Sequence, residues 1–196
     1  PSSPSGAEAH VIAMASGWVE DLDRLPPVPR YQVSLAYDPH ARRVEGWVRL
    51  VATNRWSRSL DEAYLRLYPN GRGIFGRGQM EVLSVSDAVG ELLPQPGDDA
   101  SIVRVPLRQS WAPGREMVLT IQYTALVPNG TGGGSSYGLF QEINGVSVLS
   151  DAFPMLAIYD GARWRVDRMV DWGDPVFAEI ALFEAEITTP AFFGVI

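Results

Sequence analysis

Residues 31–54 read YQVSLAYDPHARRVEGWVRLVATN. From Tyr31 to Tyr37 apolar and polar residues alternate, the period of a half-buried strand. DPHARR (38–43) then turns the chain. From Val44 the alternation resumes and runs to Asn54, with Val44, Trp47, Leu50 and Val51 as core candidates. Two such strands joined by a short turn set the expectation for the rest of the chain.

Working outward, further short strands follow at 63–68, 80–85, 101–107, 117–126, 137–143, 146–149, 155–159, 164–168 and 178–188. Gly, Pro, Asn or Asp separates most of them, as in QPGDD, APGR, NGTGGGSS and WGDP. Asn144-Gly145 and Asp160-Gly161 are two-residue hairpin signals, because the favoured turn needs residues at positive φ. Many short strands with hairpin turns predict an all-β fold, a β-sandwich or curved sheet. Helix–strand alternation is absent, which argues against a doubly wound α/β fold. One helix is expected first. Over 8–24, Val11, Ala15, Trp18, Leu22 and Leu25 fall at three- and four-residue steps, Ser5 can cap the start, and Pro26-Pro27 stops it. The expected organisation is a flexible tail (1–7) and one β-domain (8–196), made of a helical lead-in (8–26) and a sandwich (30–190).

The chain has 196 residues, 46% hydrophobic and 20% charged, which fits one globular domain and excludes a disordered chain. No apolar run approaches the ~20 residues of a membrane-spanning helix. Net charge is −7, and all sixteen basic residues are Arg. That balance disfavours a nucleic-acid partner, since phosphate binding draws on clustered cations. With no Cys and two His (His10 and His40), thiolate chemistry and Cys-ligated zinc are excluded. Neither His has a second ligand at metal spacing.

Several motifs carry less than they suggest. Gly71, Gly73 and Gly76 spell G-x-G-x-x-G, but a strand rather than a helix follows, so the dinucleotide reading lacks its context. Gly134 to Gly138 spell G-x-S-x-G, but a nucleophile elbow needs a later His, and both His precede it. Asp160, Asp167, Asp171 and Asp174 form an acidic run beside Trp164 and Trp172. Such a run can hold calcium or supply the carboxylate pair of a glycosidase. The spacing matches no calcium loop, and a solvated loop is the simpler reading. Asn129-Gly130-Thr131 is a formal glycosylation sequon, and 130–136 reads as a mobile loop.

Taken in order, other stretches resemble the N-terminal β-domain of the zinc aminopeptidase family, which includes membrane alanyl aminopeptidase and leukotriene A4 hydrolase. RYQVSLAYDP from Arg30, Gly46 in EGWVRL, and Asn54 resemble that domain's opening hairpin. LRLYPNG (65–71) resembles the next strand. Pro106-Leu107, Gly114 and MVLTIQY (117–123) resemble a strand pair in mid-domain. Phe153-Pro154, Tyr159-Asp160, Trp164, Gly173-Asp174, Glu179 and ITTP (187–190) resemble the family's FP…YD…W…GD…E…F…ITxP segment.

The resemblance implies a saddle-like β-domain without catalytic residues. It implies zinc, bound by H-E-x-x-H, only in a following catalytic domain. In these residues it implies no cofactor, no metal ligand and no catalytic group. The family's β-domain runs further, so the resemblance reads this chain as part of a larger protein. Some members use a Gln or Glu of this domain to hold the substrate's α-amino group. The matching positions lie near Asn144-Gly145-Val146, and Glu142 is the nearest carboxylate, beside Gln141. The implied partners are the protein's own C-terminal catalytic domain and, through it, a peptide substrate. An open edge over 187–196 (Ala191, Phe192, Phe193, Val195, Ile196) invites weak strand pairing with another copy. The Pro/Ser-rich start resembles the linker after a bacterial export or lipoprotein signal, which points to an extracytoplasmic protein. The alternative is a free-standing β-sandwich module that binds carbohydrate or protein.

Overall fold

The alternation around Tyr31 becomes an antiparallel hairpin of β1 (Arg30–Asp38) and β2 (Arg43–Thr53), in register from Arg30↔Val51 to Asp38↔Arg43. The computed structural model describes residues 7–71, 75, 78–130, 138–170, 173–174, 176–191 and 194. In the turn, the Asp38 carboxylate accepts the N–H groups of His40 and Ala41, and Arg42 takes a left-handed φ of 50°. Aspartate at such a corner mimics a backbone turn.

The strands β3 (Leu60–Arg66), β4 (Gln79–Ser86), β5 (Glu91–Leu92), β6 (Gln95–Pro96), β7 (Ile102–Trp111) and β8 (Glu116–Leu126) follow. After them come β9 (Phe140–Ile143), β10 (Val146–Leu149), β11 (Met155–Leu156) and β12 (Leu182–Thr188). A six-stranded sheet has the order β12-β1-β2-β8-β4-β5, a four-stranded sheet the order β11-β3-β7-β6, and β9–β10 form a separate hairpin. All pairs are antiparallel except β1–β12, which is parallel. The fold is all-β, as expected. Tyr31, Val33, Val48, Leu50, Leu119, Ile121 and Tyr123 of the larger sheet share one buried cluster with Ala63, Leu65, Val105 and Met155 of the smaller one. Burial of these side chains from both layers supplies most of the drive to fold.

Four expectations are corrected. The helix over 8–24 is instead two 3-10 turns, Ala7–Ala13 and Val19–Arg24, with Gly17 between them. Glycine weakens a helix by about 1 kcal/mol. The stripe also finds no surface to bury against: of its members only Leu22 is buried, and Trp18 is 63% exposed. Trp47, a core candidate, is 43% exposed, because the inward set of β2 is Val44, Val48 and Leu50. A one-residue slip in register exchanges the two faces of a strand. The strand at 164–168 is not formed; Trp164 makes a single bridge to Tyr159 and the segment continues without sheet partners. The strand at 155–159 shortens to β11. The short β5 and β6 carry no alternation long enough to read. Ser5, Gly73, Gly76, Gly134–137 of the G-x-S-x-G stretch, Asp171, Trp172, Phe192, Phe193, Val195 and Ile196 lie outside the described residues.

Candidate functional site

The hairpin that carries Glu142 is built by its turn. Asn144 and Gly145 have φ of 53° and 79°, the pair of left-handed values that a two-residue hairpin loop requires. Phe140 is fully buried at the base of β9 and Gln141 is buried beside it. Gly130 admits the Gln141 amide: a Cβ there would stand 2.8 Å from Gln141 Oε1. Tyr37 Oη and Ser147 Oγ, 2.7 Å apart, tie β10 back to β1. Glu142 donates its own N–H to Pro128 O (2.9 Å), and its carboxylate accepts the Gly145 N–H (2.9 Å). The structure therefore gives Glu142 a capping task inside its own turn.

The stretch from Phe153 to Trp164 is explained by packing. Tyr159 is buried and stands edge-on to both Trp56 (5.8 Å) and Trp164 (5.4 Å). Trp164 also meets Tyr64 at 5.8 Å. Asp160 caps the turn through Oδ1, which accepts the N–H groups of Ala162 and Arg163 (both 2.9 Å). These bonds, with Arg165 nearby, hold its carboxyl below the usual range. Gly161, at φ 96°, passes under the Trp56 ring; a Cβ would lie 3.2 Å from it. The turn thus centres on Gly161-Ala162, one residue beyond the sequence expectation. Trp56 and Trp164 are joined face to edge through Tyr159 and line a crevice of only about 20 Å³. That space holds one water and no sugar ring.

Among the described residues, Asp160, Asp167 and Asp174 of the acidic run do not gather into one ligand set. The Asp167 carboxylate is paired with Arg165 (2.9 Å) and Arg163 (3.3 Å), and the first of these keeps its carboxyl low. Its carbonyl accepts a bond from Arg66 Nη2 (2.5 Å), which fastens the segment to β3. Asp174 instead lies close enough to raise the carboxyl of Asp151, a residue that sequence reading passed over. Burial raises Asp151 most and Asp174 adds to it. Near both, Tyr68 Oη donates to Phe177 O (2.8 Å) and accepts Phe177 N–H (3.1 Å). No group of three or more His, Asp or Glu among the described residues is arranged to hold a metal ion. His40 sits in the β1–β2 turn and His10 in the lead-in, so these residues do not fit a zinc centre.

Asp151 yields a pH-dependent prediction. Its carboxyl is raised in the folded state, so the native protein retains a proton that the unfolded chain releases. Stability falls as pH rises through that window. Asp151 also has a left-handed φ of 52°, which Asn adopts as readily as Asp. Asp151→Asn is expected to melt above the wild type at pH 7. The difference should close as pH falls below the ordinary carboxylate range. Thermal melts across pH 3–8 check this, and a variant less stable at pH 7 contradicts it.

No family model matches the chain, and no curated protein matches its sequence. Solved structures do match. An M1 zinc metallopeptidase from Deinococcus radiodurans shares 20% identity over 84% of this chain and 32% of its own, with a TM-score of 0.52. A point mutant of that enzyme bound to Tyr-Ser-Ala gives 20%, 84%, 32% and 0.53. A two-domain M1 zinc metallopeptidase mutant bound to L-arginine gives 20%, 84%, 33% and 0.53. What is shared is the fold. The chain spans about a third of the length of these structures.

Proposed function

We propose that this chain is the non-catalytic N-terminal β-domain of a zinc-aminopeptidase-type protein. It packs on a catalytic domain and walls one side of the substrate cleft. The observation that carries this reading is the likeness over 84% of the chain to M1 metallopeptidases about two and a half times its length. The order of the opening hairpin, FP, YD, W, GD and ITTP stretches supports it independently of the fold. Zinc, the H-E-x-x-H ligands and the general base belong to the catalytic domain in this reading. Glu142 is the residue of this chain proposed to reach a substrate's amino group. Its carboxylate is already tied to the turn that would present it. An extracytoplasmic location is part of the same proposal. The packing of Trp56 and Trp164 against Tyr159, which leaves a crevice too small for a sugar ring, weighs against a sugar-binding module.

The natural reading frame tests the proposal directly, since H-E-x-x-H within a few hundred residues downstream is expected. The 196-residue chain should not hydrolyse aminoacyl substrates and should bind zinc no better than a surface His. Zinc sites use three or four shaped ligands. Stoichiometric sub-micromolar zinc binding in calorimetry would contradict this.

A further inference from the structure

The β9–β10 hairpin belongs to neither of the larger sheets, so its ties to the body set where it stands. Phe140, fully buried, anchors its base. Nearer the turn, Glu142 N–H donates to Pro128 O (2.9 Å), and Tyr37 Oη meets Ser147 Oγ (2.7 Å). Both ties act on one rung, because the register pairs Glu142 with Ser147. The Glu142 N–H leaves the hairpin toward Pro128, so this rung has no backbone bonds across it. The two Cα atoms of such a rung are about 4.5 Å apart, and its side chains are closer than on a bonded rung. Glu142 and Ser147 therefore project side by side from one face.

Strand alternation places Phe140 and Leu149 on that same face. It is the face laid against the body: Phe140 is buried, and Leu149 packs on the core cluster that includes Tyr37. Tyr37 is the next-to-last residue of β1 and is 6% exposed. Because β1 lies between β2 and β12, the Tyr37 ring cannot follow a shift of the hairpin. Its hydroxyl meets β10 at the residue opposite Glu142. The Glu142 carboxylate uses Oε1 to accept Gly145 N–H (2.9 Å), and among the described residues Oε2 has no partner. The Gly145 bond turns the carboxylate along the hairpin, and the Tyr37 bond holds the hairpin at a fixed height over β1. Together they give one free carboxylate oxygen a defined place.

We infer that Tyr37 is a positioning residue: through Ser147 it fixes the Glu142 carboxylate, and so sets how tightly the protein holds the α-ammonium group of a peptide or amino acid. The inference rests on the proposed function, in which Glu142 meets that group. Tyr37 does not touch the ligand and acts only through the hairpin. A contact that is already ordered binds more tightly, because no freedom is lost when the ligand arrives. Misplacement of a positioned group by about 1 Å can cost up to about 100-fold in rate. A hairpin outside both sheets is the element most open to such a shift, and a buried tyrosine of the central sheet is a rigid post against it. The hydroxyl is also a mild point of control. Its loss leaves the Tyr37 ring in the core and leaves Ser147, at a half-buried position, able to bond water.

Two probes of the full-length protein separate the amine contact from all others. L-leucine amide carries an ammonium group and N-acetyl-L-leucine amide does not, and competitive inhibition measures the preference between them. Tyr37→Phe removes one hydroxyl and keeps the ring. It should cut the preference for the free amine about 3–10-fold, the worth of one hydrogen bond, while the acetylated probe binds as before. Ser147→Ala breaks the same bond from its other end and should give the same loss. Glu142→Gln keeps the length and removes the charge, so it should abolish the preference. Adding Tyr37→Phe to Glu142→Gln should then change nothing further, because residues that act through one contact do not add. A multiplied loss in the double variant overturns the inference, as does equal weakening of both probes by Tyr37→Phe, the result of a merely structural bond. An unchanged preference in Tyr37→Phe and Ser147→Ala, with Glu142→Gln impaired, overturns it while the proposed function stands. An active peptidase that keeps the preference in Glu142→Gln overturns the inference and the Glu142 contact together, with the domain assignment intact. A full-length protein without a catalytic domain overturns all three.

Discussion

Asn54→Asp should destabilise the domain by about 3–5 kcal/mol, the range for a buried polar network broken by leaving donors unmatched and a charge uncompensated. Asn54 is 1% exposed. Its Nδ2 donates to Trp111 O (2.6 Å) and Arg58 O (2.9 Å), and its Oδ1 accepts Trp56 N–H (2.9 Å). Its backbone donates to Arg115 O (3.0 Å) and accepts from Gly114 N–H (2.8 Å). One residue thus joins the end of β2, the loop into β3, the end of β7 and the turn into β8. Aspartate has nearly the same shape, so packing is preserved and the effect comes from the two lost donors and the new buried charge. Its carboxylate would face two carbonyl oxygens in a site closed to water. Protonation restores one donor, so the loss should be smaller at pH 4 than at pH 7. Thermal melts read this as a drop of roughly 10 °C at pH 7, at about 2–4 °C per kcal/mol for a domain of this size. A shift under 2 °C would show that the network does not hold these loops.

The fold class was legible because alternation is a local signal. Tyr31, Val33, Leu35 and Tyr37 alternate without interruption and all are buried. In β2 the outward positions Trp47 and Val51 are apolar too, so size does not mark the inward face, which Val44, Val48, Leu50 and Ala52 form. The lead-in failed for another reason. Its helical spacing is real, but a stripe forms a helix in a protein chiefly when it packs on a surface. Here Val11, Trp18 and Leu25 face solvent. The parallel pairing of β12 with β1 joins residues about 150 positions apart, and no local pattern encodes it.

The candidate site was legible only in part. Asn144-Gly145 marked its turn correctly because glycine and asparagine are selected there by φ. Glu142 could be named, but its bond to Gly145 N–H follows from side-chain direction, which spacing does not give. The acidic run looked like a ligand set because the four aspartates are near in sequence. The structure answers two of them with Arg163 and Arg165, and the Asp174 partner, Asp151, comes from the far side of β11. Charge pairing of this kind depends on the tertiary path, so sequence reading saw the carboxylates and missed their neighbours.

Substitution at Gly46 should have the other large effect, and its neighbour Tyr123 makes the cause separable. Gly46 pairs with Leu35 on one side and Tyr123 on the other, in the middle of the larger sheet. A Cβ there would collide with Ser34 O and lie 3.0 Å from Tyr123 Oη. The first neighbour is backbone and cannot swing away, so the sheet itself must shift. Overpacking of a filled core typically costs about 1–3 kcal/mol, and Gly46→Ala belongs at the top of that range or above it. Gly46→Val, with two more methyl groups on the same face, should prevent folding. Tyr123 should respond in the opposite sense. Its hydroxyl is buried with no hydrogen-bond partner among the described residues, and burial raises its ionisation well above the usual tyrosine range. Removing an unsatisfied buried hydroxyl while keeping the ring is neutral or stabilising. Tyr123→Phe should therefore match or exceed the wild-type melting temperature. It should not rescue Gly46→Ala, because the Ser34 carbonyl and the ring carbon Cζ, 3.1 Å from the new Cβ, both remain. Denaturant titrations of the two single variants and the double variant measure the coupling. Full rescue by Tyr123→Phe would mean that the hydroxyl, rather than the backbone of β1, excludes a side chain at position 46.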